Sequence, residues 1–307
     1  MTTPDGKSDL SMTPAVWAML VLLSVVWGGT FFFQEIAVRE LPVFTIVAVR
    51  VVLAAAFLIA MLFIAGERLP REWRIWRALF LLAVINNVIP FCLIVWGQKE
   101  IASGLASILN AATPICTVLV AHFATTDEKI TGLKMVGVIA GFFGVAILLG
   151  IDLLDGLGTA VIAQIAVLAA AFAYGFGAIF GRKFRAMGLS ANGTATGQLI
   201  ASSIILVPIT LFVDTPWTLP VPSGGTIAAL IALGSVSTAL AYYLYFRILE
   251  SAGATNLVLV TFLIPISALA LGIFILSEVL LIQHIVGLAC IGAGLAAIDG
   301  RLLKRRP

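Results

Sequence analysis

Residues 105–144 read LASILNAATPICTVLVAHFATTDEKITGLKMVGVIAGFFG. An apolar run is interrupted at Pro114. A charged turn follows at Asp127 and Glu128, and then a second apolar run carries Gly137, Gly141 and Gly144. The pattern returns 150 residues later: Glu128 matches Glu278, Val136 matches Val286, Gly137 matches Gly287, Gly144 matches Gly294 and Ala146 matches Ala296. Pro114 and Pro265 correspond after a one-residue slip. Self-similarity at one long period is the mark of a duplicated unit, and duplicated apolar units build many membrane carriers.

Composition sets the solvent. Of 307 residues, 61% are hydrophobic and 11% charged, more apolar surface than a soluble domain of this size can hide. About 20 apolar residues cross a ~30 Å hydrocarbon core as a helix. Ten such runs are predicted, at 15–33, 43–65, 78–97, 104–124, 131–150, 159–180, 192–213, 226–246, 253–276 and 281–299. This gives a tail at 1–14, a first repeat at 15–150, a second at 159–299 and a basic tail at 300–307. The first run follows a polar start without a cleavage pattern, so it reads as a retained span. Five spans per repeat is an odd number, so the second copy enters the membrane inverted.

Charge placement predicts orientation. With the N-terminus in the cytoplasm, the inner segments hold Lys7, Arg68, Arg71, Arg74, Arg77, Lys129, Lys134, Arg182, Lys183, Arg185, Arg247, Arg301, Lys304, Arg305 and Arg306, which is 15 of the 18 basic residues. The outer loops hold Arg39 and Lys99. The net charge of +3 therefore reflects topology rather than nucleic-acid binding, and both termini are expected inside. Cys92, Cys116 and Cys290 fall within spans and form neither a disulfide framework nor a metal spacing. No cofactor is expected.

Polar residues inside the spans mark the candidate site. Arg50 lies eight residues past Pro42, about 12 Å along its helix. A charge at that depth costs at least ~2.5 kcal/mol and must face protein or water. It reads either as a cation for a substrate carboxylate or as a structural lock on carbonyls or on an acid such as Glu35 or Glu100. Asn86 and Asn87 stand near mid-membrane beside Pro90, which frees a backbone carbonyl, and they either bond neighbouring helices or line a cavity. Asn110, Thr113 and Thr117 form an i, i+3, i+7 face beside Pro114. Trp27 is either a belt residue or a cavity wall, and Gly28 beside it suits close helix approach. Tyr174 and Gly175 repeat that pair in the second copy, and Gln198 stands about where Arg50 stood. Ser235, Thr238, Tyr242 and Tyr245 follow helical spacing, as a polar face or an interhelical seam. Asn256 lies in the ninth span. Ala289, Ala293 and Ala297 recur every four residues and read as packing. Pro114 and Pro265 would be weak points for movement.

The absences are informative too. No acid stands in the middle of a span; Glu128 and Glu278 sit at helix junctions, where capping is the ordinary role. A metalloprotease helix, a phosphate loop, a nucleophile elbow and a paired-acid site are all missing, so an enzyme is not expected.

Trp27 and Gly28, Leu41 and Pro42 followed by Arg50, Pro114 before Glu128, and Pro265 before Glu278 together resemble the EamA family of the drug/metabolite transporter superfamily, over about 15–299. Around Trp27 to Phe33 and Asn86 to Trp96 the chain is most similar to the YddG-type exporters of aromatic and other neutral amino acids. Gln198 departs from a symmetric pair of arginines. The resemblance implies an all-α polytopic membrane protein of ten transmembrane helices, two inverted five-helix repeats around a central cavity. It also implies a bacterial inner-membrane exporter working by alternating access. On that reading Arg50 or nearby amides hold a carboxylate, and Trp27, Tyr174 and Tyr242 contact the side chain. With no buried acid, proton coupling is not obligatory. A broad drug or metabolite exporter, proton-coupled or not, is the alternative; a membrane scaffold or sensor is the non-transport one. The partners are then a small molecule and the lipid bilayer, and a monomer suffices.

Overall fold

The computed structural model describes residues 12–126, 128–150, 158–257 and 259–299. Most of the N-terminal tail, Asp127, nearly all of the acidic link at 151–158 and the basic tail at 300–307 lie outside the described residues. Among the described residues the chain is helical and forms no strand. The elements are α1 (Pro14–Val38), α2 (Val43–Ile64), α3 (Trp73–Gly97), α4 (Ser103–Ala124), α5 (Gly132–Leu149), α6 (Thr159–Ala186), α7 (Ala191–Asp214), α8 (Gly224–Leu249), α9 (Val260–Leu276) and α10 (Ile282–Asp299). The first eight are long and apolar enough to cross a bilayer, and the last two are shorter apolar helices. The expected span at 253–276 is divided: the chain kinks at Gly253 (φ 79°, ψ 166°), stays helical to Leu257, and α9 starts at Val260.

The helix ends follow the local chemistry. Thr13, Ser190 and Ser223 cap α1, α7 and α8 by accepting the backbone N–H three residues on, which satisfies donors that lipid could not. Large apolar side chains cover the outside: Ile64, Phe123, Phe212 and Phe274 are all more than four-fifths exposed. On a soluble protein that surface would drive association, and in a bilayer it meets lipid tails.

The two repeats interleave. Gly28 of α1 lies against Ser267 and Ala268 of α9, and Ser267 Oγ donates to the Ser24 carbonyl at 2.7 Å. In the other half Gly175 of α6 lies against Thr117 of α4, where an added β-carbon would stand 3.2 Å from the Thr117 backbone. Gly28 and Gly175 are 147 residues apart, Thr117 and Ser267 are 150 apart. The same close approach is therefore made twice, once by each repeat's first helix on the other region's fourth. These glycines serve close packing.

α5 and α10 clasp each other through glycine. A β-carbon at Gly137 would lie 2.5 Å from the Gly294 carbonyl, and one at Gly144 would lie 2.7 Å from the Gly287 carbonyl. The expected alanine stripe of α10 does not pack: Ala289 and Ala293 are exposed, while Gly287, Ile291 and Gly294 are buried. Glycine wins that face because only it lets two backbones touch. The glycine faces of both helices are thus used within the chain.

Candidate functional site

The polar residues of α2, α3, α7 and α8 converge, and irregular helix geometry puts them there. Pro90 has no N–H to offer the Asn86 carbonyl. The chain responds with a π turn at Val84–Val88, closed by Ile89 N–H bonding the Val84 carbonyl. The turn presents two adjacent amides to α7. Asn86 Nδ2 donates to Gln198 Oε1 at 3.1 Å, and Gln198 Nε2 donates to the Tyr242 hydroxyl at 2.9 Å. Asn87 Nδ2 donates to Ser202 Oγ at 3.0 Å, and Ser202 returns its proton to the Gln198 carbonyl at 2.7 Å. Gly177 of α6 leaves the room for Asn86, since a β-carbon there would lie 2.6 Å from Asn86 Oδ1.

Arg50 is buried beside this network, only 6% exposed. Its Nε donates to Thr238 Oγ1 at 3.1 Å, and Thr238 passes its own proton to the Leu233 carbonyl, five residues back, at 2.8 Å. Thr238 itself lies in a second π turn, Ser235–Leu240. The Arg50 guanidinium carbon lies 3.7 Å above the centre of the Phe91 ring. The Phe91 ring in turn meets the Tyr174 ring edge-on at 6.5 Å. Tyr174 and Tyr242 are both within electrostatic range of Arg50. No carboxylate pairs with Arg50 among the described residues. Glu35, one expected partner, is 3.3 Å from Arg39 instead, and the other, Glu100, is exposed. The result is a buried cation with an aromatic face and several hydroxyl and amide neighbours.

Of the residues singled out from sequence, Arg50, Asn86, Asn87, Tyr174, Gln198, Thr238 and Tyr242 are brought together. Trp27 packs against Tyr245 at 5.9 Å between centroids, within a cluster formed by α1, α8 and the start of α9. It is half-buried there. Asn110 presents a buried Oδ1 with no protein partner. Asn256 Nδ2 donates to the Ala252 carbonyl of its own helix at 3.0 Å. Ser235 bonds the Ile231 carbonyl of its own helix and stays outside the cluster. The π turn adds a residue between Ser235 and Thr238 in angular terms, so the i, i+3 relation no longer holds them on one face. Pro114 sits at a true break, between Ser103–Asn110 and Thr113–Ala124. Pro265 lies inside the continuous helix α9.

Two groups were not read from sequence. Phe91 and Ser202 complete the Arg50 and Asn87 contacts, and neither carries a signal in an apolar run. Thr30, Gln34 and Gln98 form the second group, and amides inside apolar spans are themselves the signal that could have found them. Gln34 is fully buried, and neither atom of its amide has a protein partner. Thr30 Oγ1 and Gln98 Oε1 are buried and unpartnered as well. If dry, each such atom costs on the order of 1–3 kcal/mol.

Outside the spans, Glu40 ties the α1–α2 loop to the start of α8. Its carboxylate accepts from Ser223 N–H and Ser223 Oγ, both at 2.7 Å. These two bonds hold the Glu40 carboxyl below the usual glutamate range.

Comparison with known proteins adds the context. The model of the EamA-like transporter family matches residues 15–150 and again 161–298. An uncharacterised transporter of Bacillus subtilis, YoaV, is 23% identical over 286 residues, covering 91% of this chain and 96% of its own. A probable amino-acid metabolite efflux pump of Escherichia coli is 27% identical, covering 93% and 94%. An uncharacterised inner membrane transporter of E. coli, YedA, is 27% identical, covering 84% and 81%. One crystal structure superposes with a TM-score of 0.68 over 96% of this chain and all of that one, at 18% identity.

Proposed function

Because the chain belongs to the EamA-like transporter family, we propose that it exports amino acids, aromatic and other neutral ones favoured, by alternating access between its two halves. The observation that carries this reading is Arg50: a buried cation with no carboxylate partner among the described residues, set over the ring of Phe91 and within electrostatic range of Tyr174 and Tyr242. A substrate carboxylate supplies the missing counter-charge, and an aromatic or apolar side chain matches the walls. The amide oxygens of Asn86 and Gln198 offer acceptors to the substrate ammonium. The relative from E. coli described as a probable amino-acid metabolite efflux pump agrees in class.

Both termini face the cytoplasm, on the strength of the basic residues gathered at that side. The Glu278 end is then outside and the Glu128 end inside, in a bacterial plasma membrane. No Asp or Glu belongs to the Arg50 cluster, so transport follows the substrate gradient without obligatory proton coupling. The test is efflux of labelled phenylalanine, methionine and threonine from proteoliposomes, with and without an imposed pH gradient. Saturable efflux of these amino acids at equal rates in both conditions is expected. Uphill movement driven by the pH gradient would remove the uncoupled mechanism. No flux from folded protein would remove the substrate class.

A further inference from the structure

Three pairs of equivalent helices join the two halves, and they differ in symmetry. α5 and α10 meet through reciprocal glycine contacts. α2 and α7 are tied at both ends. At one end Asp214 accepts from Thr45 N–H at 2.6 Å and Thr45 Oγ1 at 2.9 Å. At the other end Glu67 accepts from Ser190 Oγ and from Asn192 Nδ2. Each acid closes the first turn of the opposite helix, so both ends of this pair are tied in this structure.

Among the described residues, an acid ties α4 and α9 at one end. Glu278, just beyond α9, caps the start of α4: Oε1 accepts from Ser103 N–H at 2.8 Å and Ser103 Oγ at 2.6 Å, and Oε2 accepts from Gly104 N–H at 3.0 Å. The carboxylate is cradled by glycine, since a β-carbon at Gly272 would collide with it and one at Gly104 would lie 3.1 Å away. The counterpart acid is Glu128, 150 residues earlier, and the counterparts of Ser103 and Gly104 are Gly253 and Ala254. There, among the described residues, Glu128 makes no bond to Gly253. Glu128 pairs with Arg182 at 2.7 Å, and the chain is kinked at Gly253.

The neighbours of the two acids explain the difference. Arg182 stands 147 residues after Glu35. At one end an arginine holds Glu128 aside; at the other, the equivalent position is Glu35, an acid that offers Glu278 no such partner. The preceding position tells the same story. Gln34 is sealed with its amide unpartnered, whereas a β-carbon at Gly181, its equivalent 147 residues on, would meet nothing within 4 Å. At the Glu278 end Glu40 also closes the α1–α2 loop onto α8.

We propose that Glu278 and Glu128 are alternate latches of the two gates, and that this structure has the Glu278 gate shut and the Glu128 gate released. On opening, Glu278 leaves the amides of Ser103 and Gly104, and the compartment around Gln34, Thr30 and Gln98 becomes wet. Glu128 then leaves Arg182 and caps the helix start at Gly253 and Ala254. The inference rests on the alternating-access reading but needs no substrate to be tested.

The experiment uses two reporters, Gln34→Cys and Gly181→Cys, in full-length protein with Cys92, Cys116 and Cys290 replaced by alanine. The protein sits in lipid nanodiscs, where both ends are reachable, and the readout is the labelling rate with a charged maleimide. Glu278→Gln should raise labelling at position 34 roughly tenfold, the size expected for loss of a good helix cap, and lower it at position 181. Glu128→Gln should lower labelling at 34. Ser103→Ala repeats the Glu278→Gln shift with smaller size, should that variant fold poorly. Opposite movement of the two reporters supports the latch; movement in the same direction, or none, overturns it. Opposite movement without amino-acid flux would keep the latch and remove the proposed substrate. Flux with unmoved reporters would do the reverse.

Discussion

A guanidinium held in the membrane without a carboxylate beside it is costly, at least ~2.5 kcal/mol. The Thr238 hydroxyl and the Phe91 ring offset part of that cost, by ~0.5–2 kcal/mol for the ring contact. This decides between the two roles open for Arg50. A structural lock loses ~3–5 kcal/mol when one partner of a buried pair is removed. A substrate-binding cation without a protein counter-ion should lose function and keep its fold. Arg50→Gln is therefore expected to cut amino-acid efflux at least about tenfold while the thermal midpoint stays level or rises. Gln198→Ala should differ by costing stability as well. It removes the acceptor of Asn86 Nδ2 and one bond to Tyr242, and unfolding free energy should fall by ~1–3 kcal/mol in thermal or denaturant melts. Glu40 gives a pH signature. Its carboxyl is depressed in the folded state, so its contribution is present above the ordinary glutamate pKa of 4.5 and is lost as pH falls through the folded value. The melting difference between wild type and Glu40→Gln should be full at pH 7 and vanish in strong acid. The residues read correctly from sequence as in-span polar groups were those whose cost in lipid makes them conspicuous: Arg50, Asn86, Asn87, Gln198 and Thr238. Phe91 and Ser202 carry no such penalty. One is among 19 phenylalanines, and the other can satisfy itself on its own helix.

At the scale of the element, the ten apolar runs were visible because bilayer thickness fixes helix length. What was hidden is where helices stop being α-helical. Pro90 hints at the π turn before it, and Pro208 precedes another at Thr210–Asp214. The turn at Ser235–Leu240 has no proline to announce it, and it moved Ser235 off the predicted face. Proline is also an uncertain sign of a break: Pro114 starts a new helix segment, whereas Pro265 is absorbed into α9 and the interruption falls at Gly253. On α10, four-residue spacing of alanines was outweighed by glycines that admit a neighbouring backbone. That clasp can be measured. Gly144→Leu pushes a side chain against the Gly287 carbonyl and the Cys290 β-carbon, both within 3 Å of the new β-carbon. Overpacking of this kind costs ~1–3 kcal/mol, and the midpoint should drop by several degrees. Gly132→Ala, with nothing within 4 Å, should leave it unchanged.

For the whole molecule, the duplication and its inversion were legible because a repeat of 150 residues preserves acids, prolines and glycines in step. The difference between the two ends was not, because it depends on which of two equivalent acids is engaged. Glu128 and Glu278 look alike in the chain and differ in what stands beside them, Arg182 against Glu35. A molecule with one gate shut and one released is a single frame of a cycle, and a cycle predicts exchange. The direct measurement is counterflow: proteoliposomes loaded with excess unlabelled phenylalanine are diluted into a trace of labelled phenylalanine. A carrier that offers Arg50 to each side in turn should show transient accumulation of label above equilibrium, lost in Arg50→Gln and unaffected by collapsing any pH gradient. Label that merely equilibrates, or that moves equally fast in empty and loaded vesicles, would contradict alternating access by this fold.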